Sequence, residues 1–231
     1  METVVIFDFD GVLVDSYSGL TRVYRDVAKK LSITDAACFI KVMLSFEDIM
    51  DYFGLWDRNL WFNLILKSSK VCSKPDVNKL VNEYWRLRIK YSKIMNNAKE
   101  VIEKLNSLGI HTYIVSGSDG VKGMKYKRIK ALGFDKLVKE ILVYGIGEKI
   151  GCLFKALSIV RRKHKGSQLF YIDDKPENLM KARKANVRTI LYKYKPPFPA
   201  KYAWRGRKPK NTIEVENLYD LIKIVLQSNR P

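Results

Sequence analysis

Two acids, Asp8 and Asp10, close an apolar run near the start of the chain, in VVIFDFDGVLVDS. A second acidic pair, Asp173 and Asp174, closes another, in LFYIDDKPENL. Ser116 and Gly117 follow a third run in YIVSGSDG, and Lys149 lies in GIGEKIG. Carboxylates gathered in one place repel each other strongly unless a cation sits among them. A ligand set made of oxygen alone selects a hard ion, for which Mg2+ is the commonest choice. A hydroxyl, backbone N–H groups and an ammonium supply the donors that a phosphoryl group needs. The four segments together would make a metal-assisted phosphate site.

The elements that must bring them together are legible as apolar patterns. Val4–Phe7, Thr112–Val115, Ile141–Tyr144, Leu169–Ile172 and Arg188–Tyr192 read as strands. Most are unbroken rather than alternating, which suits a sheet covered on both faces. Helical stripes lie between them: Val101, Ile102, Leu105 and Leu108; then Leu153, Phe154, Leu157 and Val160; then Leu179, Ala182 and Ala185. Strand alternating with helix predicts an α/β fold, a Rossmann-like doubly wound parallel sheet. Ligands of such sheets bind beyond the carboxyl ends of the strands, where the four segments fall. Residues 16–93 break the rhythm with helix after helix, Tyr17, Leu20, Tyr24, Val27 and Leu31 sharing one face. A structureless loop of that length is implausible. The expectation is an inserted α-helical cap domain over 16–93, with residues 1–15 and 94–231 forming the core.

DFDGVLVDS, IVSGS, a Lys on the approach to a helix and IDDKPENL, in that order, resemble the four motifs of the haloacid dehalogenase superfamily. The helical insert resembles that family's C1-type cap. The likeness runs from Val4 to about Tyr192. It implies Asp8 as the nucleophile that forms an aspartyl-phosphate and Asp10 as general acid and then base, with a raised pKa. It implies that Ser116, the Gly117 N–H and Lys149 bind the phosphoryl group. It implies Mg2+ held by Asp8, the Asp10 carbonyl and Asp174, with Asp173 as a second carboxylate. An Asp at position 10 is a feature of the phosphatases and phosphomutases of the family, and not of its dehalogenases. Two departures stand out. Asn178 occupies a place where a further acid is common, with Glu177 just before it, and Lys155 competes with Lys149, which lies 24 residues before Asp173.

The implied activity is Mg2+-dependent hydrolysis of a small phosphate monoester such as a sugar phosphate, phosphoglycolate or a nucleotide. Uncatalysed phosphate-monoester hydrolysis is slow enough that enzymes reach accelerations of ~10²¹. The alternatives are a phosphomutase of the β-phosphoglucomutase type and a nucleic-acid-associated protein, either a polynucleotide-end phosphatase or a binder. Specificity would come from the cap, with Lys41, Trp56, Arg58 and Trp61 as candidates, although tryptophans at this spacing also suit a cap core. His111 and His164 read as bystanders.

The alternative involving nucleic acid rests on charge. The chain carries a formal net charge of +19, which favours anionic partners. YKYKPPFPAKYAWRGRKPK, from Tyr192 to Lys210, holds seven Lys or Arg and no acid, with rings interleaved. Such a segment can follow a nucleic-acid backbone while its rings stack on bases. A solvated loop whose rings pack on the core is the plainer reading and is preferred. Cys38, Cys72 and Cys152 form no CxxC pair, which argues against a zinc site or disulfide framework and for a reducing cytoplasm. There is no basic leader and no apolar run of membrane-spanning length. Abundant Lys and scarce Gln lean toward a heat-adapted source.

Overall fold

A computed structural model describes residues 2–67, 71 and 74–228. Cys72 lies outside the described residues; Cys38 and Cys152 are exposed and unpaired. In chain order the elements are β1 (Thr3–Phe7), β2 (Val14–Asp15), α1 (Leu20–Lys30), α2 (Ala36–Phe53), α3 (Arg58–Leu66), α4 (Val77–Tyr91), β3 (Lys93–Ile94), α5 (Ala98–Ser107), β4 (His111–Gly117), α6 (Met124–Ala131), β5 (Glu140–Tyr144), α7 (Leu153–Lys163), β6 (Gln168–Asp173), α8 (Pro176–Arg183), β7 (Arg188–Tyr192), β8 (Ile213–Val215) and α9 (Asp220–Gln227). No helix among the described residues is long and apolar enough to cross a membrane.

Six strands form one sheet in the order β5-β4-β1-β6-β7-β8, with every pair parallel. The fold is α/β with a Rossmann-like core, as the strand–helix alternation predicts. The sixth strand, β8, was not expected: three residues are too few to show a period. β1 is central, and all its residues are buried. Its alternate side chains enter different cores. Val5 and Phe7 pack with α5 and α9, whereas Val4 and Ile6 pack with α7 and α8. A strand covered on both faces cannot alternate apolar with polar, which explains the unbroken run. Phe154 departs from its expected stripe and is 45% exposed.

Between the short antiparallel pair β2 and β3 lie α1 to α4. Aspartates start three of these helices. Asp35, Asp57 and Asp76 accept from the backbone N–H of Cys38, Asn59 and Lys79, each at 2.9 Å, satisfying donors that a helix start leaves unpaired. The four helices enclose their own apolar cluster, built on Leu20, Tyr24, Phe62, Leu80 and Tyr84. Phe198 and Ala200 join it from the segment between β7 and β8.

Inside this helical layer sits a buried ionic group. Glu47 Oε2 accepts from Arg58 at 2.9 Å and Oε1 from Arg88 at 3.2 Å, and the hydroxyls of Tyr24 and Tyr84 each donate to Oε1 at 2.5 Å. The Arg58 guanidinium lies 3.5 Å from the Trp61 ring centre. Removing one partner of a buried pair leaves the other charge uncompensated. Glu47→Ala strands two guanidinium groups, so it is expected to destabilise the protein by about 3–5 kcal/mol. Urea denaturation of the variant beside the parent measures this.

Candidate active site

The register of β1 sets the site. Phe7 is level with Ile114 of β4 and with Ile172 of β6, so the next residue, Asp8, arrives beside Asp173 at the carboxyl edge. One carboxylate oxygen from each of Asp8, Asp173 and Asp174 lies within 4.8 Å of the other two. All three residues are buried. Gly11 lets the chain turn tightly after Asp10: its φ is +81°, and an added Cβ would stand 2.1 Å from Asp174 Oδ2.

Burial is the largest influence on Asp8 and, with the charge of Asp173, pushes its carboxyl up to about 8 against the pull of Lys125 and a hydrogen bond with Ser116. Burial likewise raises Asp174 well above the ordinary carboxylate range, helped by Asp173 and Asp8 and opposed by Lys175. The three acids differ in their bonding. Asp173 is saturated, accepting from the Tyr171 hydroxyl at 2.5 Å, the Lys175 backbone N–H at 2.8 Å and the Asn178 amide at 3.0 Å. Asp174 Oδ1 is buried and has no partner. An unpartnered buried carboxylate oxygen is costly, and its carboxylate is clustered with two further acids. That donor set fits a hard divalent ion. When all groups are ionised, the acids lining the cavity together with Asp173 and Asp174 outnumber the cations by two, the charge of one such ion. Glu177 lies outside the acid cluster; it sits against Gly206. Asn178, where an acid was the commoner expectation, serves as a donor to Asp173.

Ser116 and Gly117 end β4 and line the same cavity, which encloses about 50 Å³. Gly117 is needed for approach rather than for its dihedral angles: a Cβ there would meet the Trp56 ring at 2.9 Å. Trp56 thus comes down from the helical layer onto the carboxyl edge of the sheet. Arg58 also lines the cavity. Trp61 does not; it is buried in the helical layer, with Nε1 donating to the Leu55 carbonyl at 3.0 Å. Lys41 borders a separate surface groove.

Two expectations need correcting. The first concerns Asp10, for which a raised pKa was expected from a neighbouring carboxylate. Its neighbours are cations. Although burial is the largest influence and acts upward, Arg128 and Lys125 outweigh it and hold the carboxyl well below its ordinary range. Lys125 Nζ and Arg128 Nη2 both bond the Asp10 carboxylate directly. Asp119 completes the group, 2.9 Å from Lys125 and 3.0 Å from Arg128. The second concerns Lys149. It is exposed and does not line the cavity. Its neighbour Glu148 turns in to the Gly123 N–H at 3.0 Å, and Lys149 faces solvent. The cation acting on Asp8 is Lys125.

Neither Lys125 nor Arg128 was among the residues expected at the site. The missing signal was the buried face of α6, made by Met124, Lys125, Arg128 and Ile129. Two cations within a buried stripe demand buried acids. Lys175 was also missed. It bonds Asp51 of α2 at 2.8 Å and the Tyr17 hydroxyl at 2.9 Å, joining sheet edge to helical layer. His111 and His164 both contact Glu2, and His164 also meets the Tyr113 hydroxyl at 2.8 Å. They belong to the opposite end of β4, away from the acids.

Comparison with known proteins agrees with this architecture. Residues 5–192 match the model of the haloacid dehalogenase-like hydrolases. A protein of Caldanaerobacter subterraneus subsp. tengcongensis, provisionally named pyrophosphatase PpaX, is 22% identical over 96% of this chain and 94% of its own. Among solved structures, the provisionally assigned hydrolase YfnB of Bacillus subtilis, bound to magnesium, superposes with a TM-score of 0.67 at 19% identity, over 97% of this chain and 98% of that one. A provisionally assigned phosphoglycolate phosphatase of Haemophilus somnus gives 0.65 at 16% identity, over 96% and 97%. A provisionally assigned β-phosphoglucomutase of Thermotoga maritima gives 0.67 at 15%, over the whole of both chains. With the model spanning most of its length, the chain belongs to the haloacid dehalogenase-like hydrolases and is an enzyme of that family.

Proposed function

We propose that the protein is a Mg2+-dependent phosphohydrolase acting on a small phosphate monoester through an aspartyl-phosphate on Asp8. One observation carries this reading: Asp8, Asp173 and Asp174 meet in a buried cluster with Ser116 beside it and one Asp174 oxygen unpartnered. The domain division that accompanies it is a core of residues 1–15 and 94–231 with a cap of residues 16–93.

Asp8, Asp174 and the Asp10 carbonyl would hold Mg2+, with Asp173 beside them; the ion supplies charge that offsets the phosphoryl oxygens. Asp8 attacks phosphorus, its P–O bond forming as the bond to the leaving alcohol breaks. Water, giving a proton to the Asp10 carboxylate left ionised by the first step, then displaces Asp8 and phosphate departs. The Ser116 hydroxyl and the Gly117 N–H hold phosphoryl oxygens through both steps. Lys125 takes the cationic role that the motif pattern assigned to Lys149. The leaving alcohol needs a proton, and Asp10 is the candidate donor, yet Lys125 and Arg128 hold it as an anion. An arriving phosphate dianion competes for those same cations. Substrate binding therefore loosens their hold on Asp10 and lets it take up the proton that it donates.

The enclosure of about 50 Å³ supports a small ester over a polynucleotide end. So does the fate of the interleaved rings. Tyr194, Phe198 and Trp204 pack in the apolar cluster of the helical layer, which leaves Tyr202 as the one ring between the segment's first and last cations that is exposed.

Hydrolysis of para-nitrophenyl phosphate with Mg2+ tests the reading. Asp8→Asn should lower kcat by at least about 10³-fold, the scale on which loss of a nucleophile acts. Activity that survives this substitution removes the mechanism. Lys125→Met should cost about 10²-fold or more in kcat, in line with loss of one charge-stabilising donor, while Lys149→Met stays within about twofold of the parent; the reverse order would restore the motif assignment.

A second prediction concerns pH. Free of metal, the folded chain keeps protons on Asp8 between 3.8 and about 8, and on Asp174 above its ordinary range, where the unfolded chain has lost them. Stability contributed by these groups therefore falls as pH rises through that window. Mg2+ needs both groups deprotonated, so it relieves more at high pH. The rise in Tm on saturating with Mg2+ should be larger at pH 8 than at pH 5.5 by scanning calorimetry; equal rises would contradict the assignment.

A further inference from the structure

The segment between β7 and β8 is a strap across the active site. It leaves β7 with Tyr194, whose hydroxyl donates to Asp15 Oδ1 at 2.6 Å. Phe198 and Ala200 enter the apolar cluster of the helical layer. Three consecutive backbone N–H groups, of Lys201, Tyr202 and Ala203, then converge on the buried Asp48 carboxylate of α2 at 2.6, 3.1 and 3.0 Å. The next residue is Trp204. Its indole Nε1–H donates to Asp174 Oδ2 at 2.6 Å.

That bond falls on the acid whose other oxygen has no partner. Asp174 is clamped from two sides: Trp204 donates to Oδ2, and Gly11 leaves the space that Oδ2 fills. Oδ1 is left without a partner, on a carboxylate that brings an oxygen within 4.8 Å of Asp8 and Asp173. The indole itself is held by rings. Tyr17 packs edge-on at 5.0 Å and Phe198 at 6.0 Å, and Lys175 Nζ lies 5.1 Å from the ring centre. Groups that donate to a metal's ligands fix ligand orientation, and their loss typically costs 10–100-fold in metal affinity.

We propose that Trp204 is a positioning residue for the divalent ion: it orients Asp174 for the metal, and the strap's anchorage on Asp48 ties that orientation to the helical layer. This deepens the phosphohydrolase reading and rests on it. Lys193 and Lys208 are paired with Glu216 and Glu214, and the rings between the cations do the structural work.

Isothermal titration of the metal-free full-length protein with Mg2+ tests this. Trp204→Phe keeps a ring in place but removes the donor. It should raise the Kd for Mg2+ about tenfold or more, while kcat at saturating Mg2+ stays within about threefold of the parent. An unchanged Kd, or a lower one, as expected if the indole competes with the metal, would overturn the proposal. Asp48→Asn probes the anchorage without touching the acid cluster. It should speed amide hydrogen exchange at residues 201–203 and also raise the Kd for Mg2+; faster exchange with an unmoved Kd would overturn the coupling. A parent that binds no Mg2+ would instead defeat the metal-dependent reading itself, whereas a parent that binds it normally isolates the failure to Trp204.

Discussion

Three carboxylates with oxygens within 4.8 Å of one another, removed from water, form an arrangement that nothing in the polypeptide alone makes favourable. Desolvation disfavours each anion, and each anion disfavours the others. The protein meets this cost locally and incompletely. Asp173 is given three donors. Asp174 is given one, and an oxygen is left over. Asp8 is left with Ser116 and a cation at one remove. The charge that remains is of the kind an oxygen-seeking divalent ion neutralises; without one, burial and mutual repulsion favour protons on Asp8 and Asp174 instead. The parallel sheet is the means: β1 and β6 are adjacent and in register, so acids that end both strands must meet.

The other buried charges close without an ion. Asp10 and Asp119 are matched by Lys125 and Arg128, and Asp51 by Lys175. In the helical layer Glu47 faces two guanidinium groups, leaving that wall of the cavity with one positive charge in excess. Buried pairs of this kind contribute little net stability, but they are severe about geometry, because separating the partners strands a charge. Lys175 and Asp51 lie on different layers, as do Asp48 and the backbone it binds. These ties hold the helical layer over the sheet edge.

How much of this was readable depends on distance along the chain. The strands, the acids at their ends and the helical insert follow from local pattern, since a two-faced strand and an amphipathic helix each write their environment into consecutive residues. The partners of the acids do not. Lys125 and Arg128 sit in a run where cations are the rule, and only the position of Met124 and Ile129 marks that face of α6 as buried. Lys149 looked suitable because spacing in sequence was the only measure at hand; the turn that carries it sends the neighbouring Glu148 inward instead. The strap was least legible. Its composition resembles a solvated basic loop, and its inward rings and the reach of Trp204 to Asp174 are tertiary contacts across 30 residues.

The strap also changes what the net charge of +19 means. A long-range field of that sign draws phosphorylated molecules toward the protein whatever they are. The cavity, by contrast, contains nearly balanced charges whose arrangement, not sum, distinguishes one anion from another. Attraction and recognition are therefore separate properties of this molecule, written in different residues. The exposed lysines supply the first without contacting the acids. The second lies with cavity-lining groups that sequence composition hides, among them Arg88 of α4, Arg58 of α3 and Lys125 of α6. Adding or removing surface lysines should then alter how fast ligands arrive and how salt affects that rate, while leaving discrimination at the buried acids where the sheet register put it.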